Sequence, residues 1–179
     1  TNLLGWGIYE YHGVNGGGVI HFARYLEPRE DLKQVNPIIP HLFNMKEDIA
    51  SFIPLGIYWA SGRMAASLFT TGGAGLTGET GLYAAKVHNI PMVAVVALSA
   101  SDADGKAPLQ YTGKDGSNTI GIYRELLGDG CIFLENIGGL EEKLIQGKQI
   151  LQESKPVAFL FHPDVLSKKV QKEISVPLE

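Results

Sequence analysis

Met64-Ala-Ala-Ser-Leu-Phe-Thr-Thr71, then Gly72-Gly-Ala-Gly75, then Leu76-Thr-Gly-Glu-Thr-Gly-Leu-Tyr-Ala-Ala-Lys-Val-His88, then Pro91-Met-Val-Ala-Val-Val-Ala-Leu-Ser99: this run decides the fold. The first piece has strand chemistry, the second is a glycine turn, and the third is an amphipathic helix. The fourth is the most apolar stretch of the chain and reads as a strand buried on both faces. A strand of that kind belongs to a parallel sheet, and the same alternation continues in both directions. Upstream, Gly7–His12 reads as a strand running into Gly13–Gly18, followed by a short helix face over Val19–Leu26. Pro28–Pro40 is a polar connection with a brief strand at Ile38-Ile39. Lys46–Gly62 carries Ile49, Ala50, Ile53, Ile57 and Ala60 close to helical spacing. Pro54 inside it predicts a helix start or a kink.

Downstream, Ser99–Asn118 reads as a long loop and Thr119–Leu127 as a helix. Cys131–Leu134 is a strand, Leu140–Ser154 a helix and Pro156–His162 a last strand, with the turn His162-Pro-Asp164 and a charged tail behind it. The expectation is one α/β domain over residues 1–179: three layers, a mostly parallel sheet with helices on both faces.

Composition narrows the function classes. Fifteen Lys and Arg against 19 Asp and Glu give a formal charge of −4, which argues against nucleic acid or an anionic membrane surface as partner. Cys131 is the single cysteine, so an intramolecular disulfide and a cysteine-rich zinc site are both excluded, and a reducing cytoplasm is the expected location. The five histidines show no short metal-ligand pairing, no metal site is expected, and no apolar run is long enough for a membrane helix. Glycine is in excess, 22 in 179 residues against the usual ~7%.

Some of those glycines imitate phosphate loops. Gly73-Ala-Gly75-Leu-Thr-Gly78 satisfies G-x-G-x-x-G between a strand and a helix. A dinucleotide site also wants an acid at the end of the next strand, and here the first is Asp102, already in the loop. A P-loop wants lysine where Glu79 stands, and a carboxylate repels phosphate.

The stretch Glu47 to Pro91 resembles the pyrimidine-binding, amino-terminal domain of thiamine-diphosphate enzymes of the acetolactate synthase type. Glu47 is followed nine residues later by Gly56-Ile-Tyr-Trp-Ala-Ser-Gly-Arg63, then by Thr70-Thr-Gly-Gly-Ala-Gly-Leu-Thr77 and by Ile90-Pro-Met-Val93, in the family's order and without a gap. Val14-Asn-Gly-Gly-Gly18 looks like the family's Tyr-Pro-Gly-Gly-Ala turn. Gln110 falls where the family often has Phe-Gln, and Lys155–Leu166 looks like its closing strand.

The resemblance implies a chemistry. In the family the glutamate hydrogen-bonds the cofactor's aminopyrimidine and promotes its imino tautomer, so Glu47 is the expected activating residue for a 2-keto acid decarboxylase or carboligase. Gly16, Gly17, Gly18, Thr71, Gly72, Gly73 and Ala74 are the expected cofactor-binding positions, and Gln110 is a candidate substrate contact. Two departures bear on this. The family has Pro-Gly where this chain has Gly73-Ala74, and Ala74 does not adopt a positive φ cheaply, so the turn is expected to be looser or displaced. The family's first helix has only about six residues available before the strand at Ile8 and is expected to be absent or removed.

The family's diphosphate domain carries Gly-Asp-Gly followed some way on by Asn, holding a divalent metal. Gly128-Asp129-Gly130, with Asn136 close behind, reads instead as a polar turn, and Gly113-Lys-Asp115-Gly116 fails similarly. Only the pyrimidine end of thiamine diphosphate is therefore expected on this chain, with Mg2+ on a diphosphate-binding domain or subunit elsewhere. The chain is then an excised domain, or one subunit of a split enzyme similar to the small subunits of sulfopyruvate or phosphonopyruvate decarboxylases. The site would lie between this domain and the diphosphate domain of a neighbouring chain, a homo-oligomer such as a dimer is implied, and the chain alone should show no turnover. Two other readings stay open: a catalytically silent interaction module of the same fold, and a small nucleotide-binding α/β domain using Gly73–Gly78.

Overall fold

The computed structural model describes residues 2–26, 41–103, 105–106, 108–168 and 174–177. The connection expected at Pro28–Pro40, with its strand at Ile38-Ile39, and part of the charged tail lie outside the described residues. The strands are β1 (Glu10–Gly13), β2 (His41–Asn44), β3 (Ala66–Phe69), β4 (Val93–Ala97), β5 (Cys131–Leu134) and β6 (Val157–Phe161). They form one sheet in the order β2-β1-β3-β4-β6-β5. Every neighbouring pair is parallel.

The helices are α1 (Asn2–Gly5), α2 (Ile20–Ala23), α3 (Glu47–Ser61), α4 (Gly73–Thr77), α5 (Glu79–Val87), α6 (Thr119–Leu127), α7 (Leu140–Gln152) and α8 (Pro163–Leu166). Strand periodicity sorts the core into two halves. Val93, Val95 and Ala97 of β4, with Val157, Phe159 and Phe161 of β6, pack under α1, α2 and α7. Ala94 and Val96, with Ala158 and Leu160, point the other way and pack under α3 to α6. Both faces of these strands are buried, which is why their sequence is a continuous apolar run and not an alternating one.

Three local findings refine the expectations. First, α3 is one helix from Glu47 to Ser61 and passes through Pro54. A proline there removes the N–H that would bond the Ala50 carbonyl. The buried Ser67 hydroxyl of β3 donates to that carbonyl instead, at 2.9 Å, so the helix continues without a stranded acceptor. Gly62 ends it in the left-handed conformation, φ 69°, its N–H returning to the Tyr58 carbonyl.

Second, the glycine stretch after β3 is not an open turn followed by one helix. Gly73–Thr77 is itself helical, and Glu79–Val87 is a second helix. They meet at Gly78, where a Cβ would collide with the Phe69 ring. The positive φ of the segment falls on Gly72, 82°. Ala74 is helical and buried, so the turn carries no strain at the alanine.

Third, the few residues ahead of β1 hold a single helical turn, Asn2–Gly5. Its Asn2 amide donates to the Ile174 carbonyl at 2.9 Å and accepts from Val176 N–H at 2.7 Å. Next to it, Trp6 Nε1 donates to the Val176 carbonyl at 2.6 Å. The two ends of the chain are thereby tied together.

Candidate functional site

The strand order reverses direction at the β1–β3 pair: β2 lies outside β1, and the chain then crosses back to β3 on the other side. In open α/β sheets a ligand crevice forms at such a point, beyond the carboxyl ends of the strands. The loops that leave β1 and β3 here are the two glycine clusters singled out in the sequence.

The loop after β1 lies directly on the ends of its neighbours. A Cβ on Gly16 would stand 2.5 Å from Thr70 Oγ1, and one on Gly18 would collide with Thr71 Oγ1 and stand 2.7 Å from Ala97 Cβ. Gly17 differs: a Cβ there would meet nothing within 4 Å. Thr71 is held by its hydroxyl, which donates to the Leu98 carbonyl of the adjoining strand end at 3.2 Å.

A cleft of about 460 Å³ opens over these residues, with Gly17, Gly18, Thr70, Thr71 and Gln110 among its walls. Gln110 stands in the left-handed region, φ 64°. Its Cβ and Cγ cover Gly72 so closely that a side chain at Gly72 would collide with them. Asp102 and Lys106, an exposed ion pair on the same loop, complete one wall. The loop's root is fixed by a small polar network. The Ser99 and Thr112 hydroxyls are 2.8 Å apart, Thr112 N–H donates to Ser99 Oγ at 3.1 Å, and His162 Nδ1 donates to the Ser99 carbonyl at 2.6 Å. Asp164 accepts from the Ser101 N–H at 3.0 Å and from its hydroxyl at 2.8 Å. Burial pushes the Asp164 carboxyl up, but the backbone and side-chain bonds from Ser101 outweigh it and hold the group below the usual carboxylate value.

Glu47 does not line this cleft. It is the first residue of α3, three residues beyond the end of β2, and its side chain is half-buried. The approach is anchored by Met45 N–H donating to the Gly13 carbonyl at 3.1 Å, and by Asn15 N–H donating to Asn44 Oδ1 at 3.4 Å. These bonds hold the loop after β1 beside the start of α3. Its neighbour Asp48 accepts from Ile49 N–H at 2.8 Å, while no described residue hydrogen-bonds or ion-pairs with the Glu47 carboxylate.

The structure thus brings Gly17, Gly18, Thr71 and Gln110 to one cleft, with Gly16 and Gly72 packed behind it. Gly73 begins α4 and Ala74 is turned into the core. The nucleotide motif fares worse as a phosphate cradle. Gly75 N–H bonds the Gly72 carbonyl at 3.1 Å, and Gly78 N–H bonds the Ala74 carbonyl at 3.1 Å, so neither amide is offered to a ligand. Gly128–Gly130 is a single 3-10 turn leading into β5, with Asp129 exposed. Burial pushes the Cys131 thiol up to about 11, which leaves it protonated and inert at neutral pH.

One residue carries no role in the sequence reading and stands out in the structure. His12 of β1 is 4% exposed, and neither ring nitrogen has a hydrogen-bond partner among the described residues. Glu10 Oε2 is 3.7 Å from Nε2, too far to bond, and the Phe43 ring stacks on the imidazole at a centroid distance of 5.1 Å. Alternation with the core residue Tyr11 was the available signal, since it sends His12 to the α3 side of the sheet.

Fold and cleft together define an open, doubly wound α/β domain with a cleft at the β1–β3 switch point. The family model described as thiamine pyrophosphate enzyme, N-terminal TPP binding domain, matches residues 3–118, and the chain belongs to this family. No curated protein sequence matches it significantly. Among the described residues, no helix is long and apolar enough to cross a membrane.

Proposed function

We propose that this chain is the pyrimidine-binding part of a thiamine-diphosphate-dependent decarboxylase or carboligase for a 2-keto acid, with Glu47 hydrogen-bonding the aminopyrimidine. The observation that carries the reading is the half-buried Glu47 carboxylate, without a described partner, at the head of α3 and inside the matched stretch. A carboxylate held at the edge of water shares a proton with a ring nitrogen most strongly once a partner surface excludes the solvent.

The residues present suit a flat heteroaromatic ring. The loop 16–18 and the segment 71–74 offer backbone close to the switch point, and open space stands where Gly17 and Gly73 would carry a Cβ. Gln110, fixed over Gly72, supplies an amide to orient a substrate carbonyl or carboxylate. Thiamine diphosphate, when bound, supplies the electron sink for breaking or making the bond beside a keto carbon. The diphosphate and its Mg2+ are assigned to a separate domain or subunit, because the one Gly-Asp-Gly of this chain is used as a short turn before β5. A homodimeric assembly and a cytoplasmic location, the latter suggested by the lone Cys131, complete the reading.

With the diphosphate-bearing partner supplied, consumption of the 2-keto acid should fall by about 10²-fold or more in Glu47→Gln. Calorimetry should show thiamine diphosphate bound less tightly while the thermal melt is unchanged. Full activity in that variant overturns the role of Glu47. Pairing with the partner but no cofactor binding in the unmodified chain identifies a silent interaction module instead.

A further inference from the structure

A buried imidazole with both nitrogens unbonded gives up hydrogen bonds that an apolar ring in its place would never need, and such a group calls for a reason. His12 is that group among the described residues. In the sheet it stands opposite Phe43 of β2 on one side and Ser67 of β3 on the other. Ser67 offers it nothing, because its hydroxyl is committed to the Ala50 carbonyl. Phe43 offers only a face, near-parallel to the imidazole at 10° between the ring planes.

That face matters because of where it leads. β2 is an edge strand, paired with β1 alone, and His41, Phe43 and Asn44 are exposed. Beyond the ladder, its end is held by the Met45 N–H on the Gly13 carbonyl and the Asn44 side chain on the Asn15 N–H. The stack of Phe43 on His12 is the side-chain contact that adds to these bonds. Four residues after Phe43 the chain reaches Glu47. His12 thus sits beneath the segment that presents Glu47, and one residue ahead of the loop 13–18.

A proton would change what the ring needs. Arg63 Nη1 holds Glu10 Oε1 at 2.9 Å, which leaves Oε2 at 3.7 Å from His12 Nε2. An imidazolium bonds a carboxylate at about 2.8 Å, so it must shift by about 1 Å, away from its place against Phe43. Among the charged and titratable groups on the neighbouring elements are His41 on β2, Arg63 ahead of β3, and Glu47, Asp48 and Tyr58 on α3. Only Glu10, on β1 itself, acts on the imidazole charge.

We propose that His12 is a positioning residue for Glu47. The neutral ring, stacked on Phe43, fixes the end of β2; a proton draws the ring to Glu10 and frees Phe43 and the segment behind it. The link from His12 to β2 stands on the geometry alone, and its consequence for a cofactor rests on the proposed role of Glu47.

The first test needs neither cofactor nor partner. In NMR spectra of the full chain from pH 7.5 to 5.0, the amides of residues 44–47 should shift with the midpoint of the His12 ring. The shift should persist in His41→Gln, which removes the other imidazole of the pair of strands. It should vanish in His12→Phe, which keeps a ring under Phe43, and in Phe43→Leu, a change at an exposed position that removes the stack. A His12 ring that titrates without moving these amides overturns the proposal, as does a ring that stays neutral to pH 5.0 or a shift that survives in His12→Phe. The second test adds thiamine diphosphate and the diphosphate-bearing partner. Between pH 7.5 and 5.5 the KM for the cofactor should rise about threefold or more beyond its rise in His12→Phe, with kcat at saturating cofactor little different between the two. At pH 7.5, His12→Ala should raise that KM and His12→Phe should restore it. Identical pH profiles overturn the link to the cofactor, while loss of turnover in Glu47→Gln still upholds the role of Glu47, so the two failures are distinct.

Discussion

His12 shows what a single buried imidazole does to the molecule. Burial lowers its pKa below the ordinary imidazole value of 6.5, and the nearby Glu10 charge only partly restores it. The unfolded chain therefore binds a proton in a window where the native chain does not. Stability is fully present above pH 6.5 and is lost as pH falls toward the native value, at about 1.4 kcal/mol per pH unit across the window. Urea midpoints at pH 7.5 and 5.5 should separate for the unmodified chain and draw together in His12→Phe. Glu10→Gln should widen the separation, because Glu10 is the charge that favours protonation. Gly18 belongs to the same scale. Gly18→Ala places a Cβ on Thr71 and Ala97, so the loop after β1 must lift, at a cost of about 1–3 kcal/mol. Calorimetry with thiamine diphosphate and the partner should then show weaker binding than in Gly17→Ala, whose Cβ has room.

At the scale of elements, α3 depends on a bond made from outside the helix. Ser67→Ala leaves the Ala50 carbonyl buried and unsatisfied, and should cost about 1–3 kcal/mol by denaturant unfolding. In a Pro54→Ala background the restored residue-54 N–H can take that carbonyl, so the same Ser67→Ala change should cost less. A double-mutant cycle showing simple additivity would mean that the hydroxyl does not substitute for the missing helical bond. The pair was legible only in part. Pro54 is visible in the sequence as a helix-breaking residue and Ser67 as a polar residue in an apolar strand, but their meeting is a matter of how α3 crosses β3. The split of α4 from α5 has a similar origin. Helical spacing runs through Gly78, and only the position of the Phe69 ring shows why a glycine must stand there.

Over the whole molecule, the sheet is held by its two apolar faces, while the ends of the chain are held by polar bonds to each other. Removing residues 174–179 leaves Trp6 Nε1 and the Asn2 amide without their partners. That loss should amount to about 2–3 kcal/mol and lower the melting temperature by about 5–10 °C. It should leave the cleft intact, since the bonds that root the loop at Ser99, Thr112 and His162 involve none of those residues. Limited proteolysis should accordingly open the terminal contact before the loop over the cleft.

What the sequence by itself determined is the class of sheet and the position of the loops that bear the site. Both follow from local patterns: fully apolar runs such as Val93–Ala97 and Val157–Phe161 for buried parallel strands, glycine clusters where strands end, and the order Glu47, Gly56, Thr70, Pro91 for the family. Tertiary structure alone decided which of the expected residues share a cleft. It set Gln110 over Gly72, turned Ala74 into the core, left Glu47 out of the cleft's walls, and buried His12 with no hydrogen-bond partner among the described residues. The physical reason is that spacing along a chain fixes periodicity and turns. Contacts between elements depend on how helices are laid across the sheet.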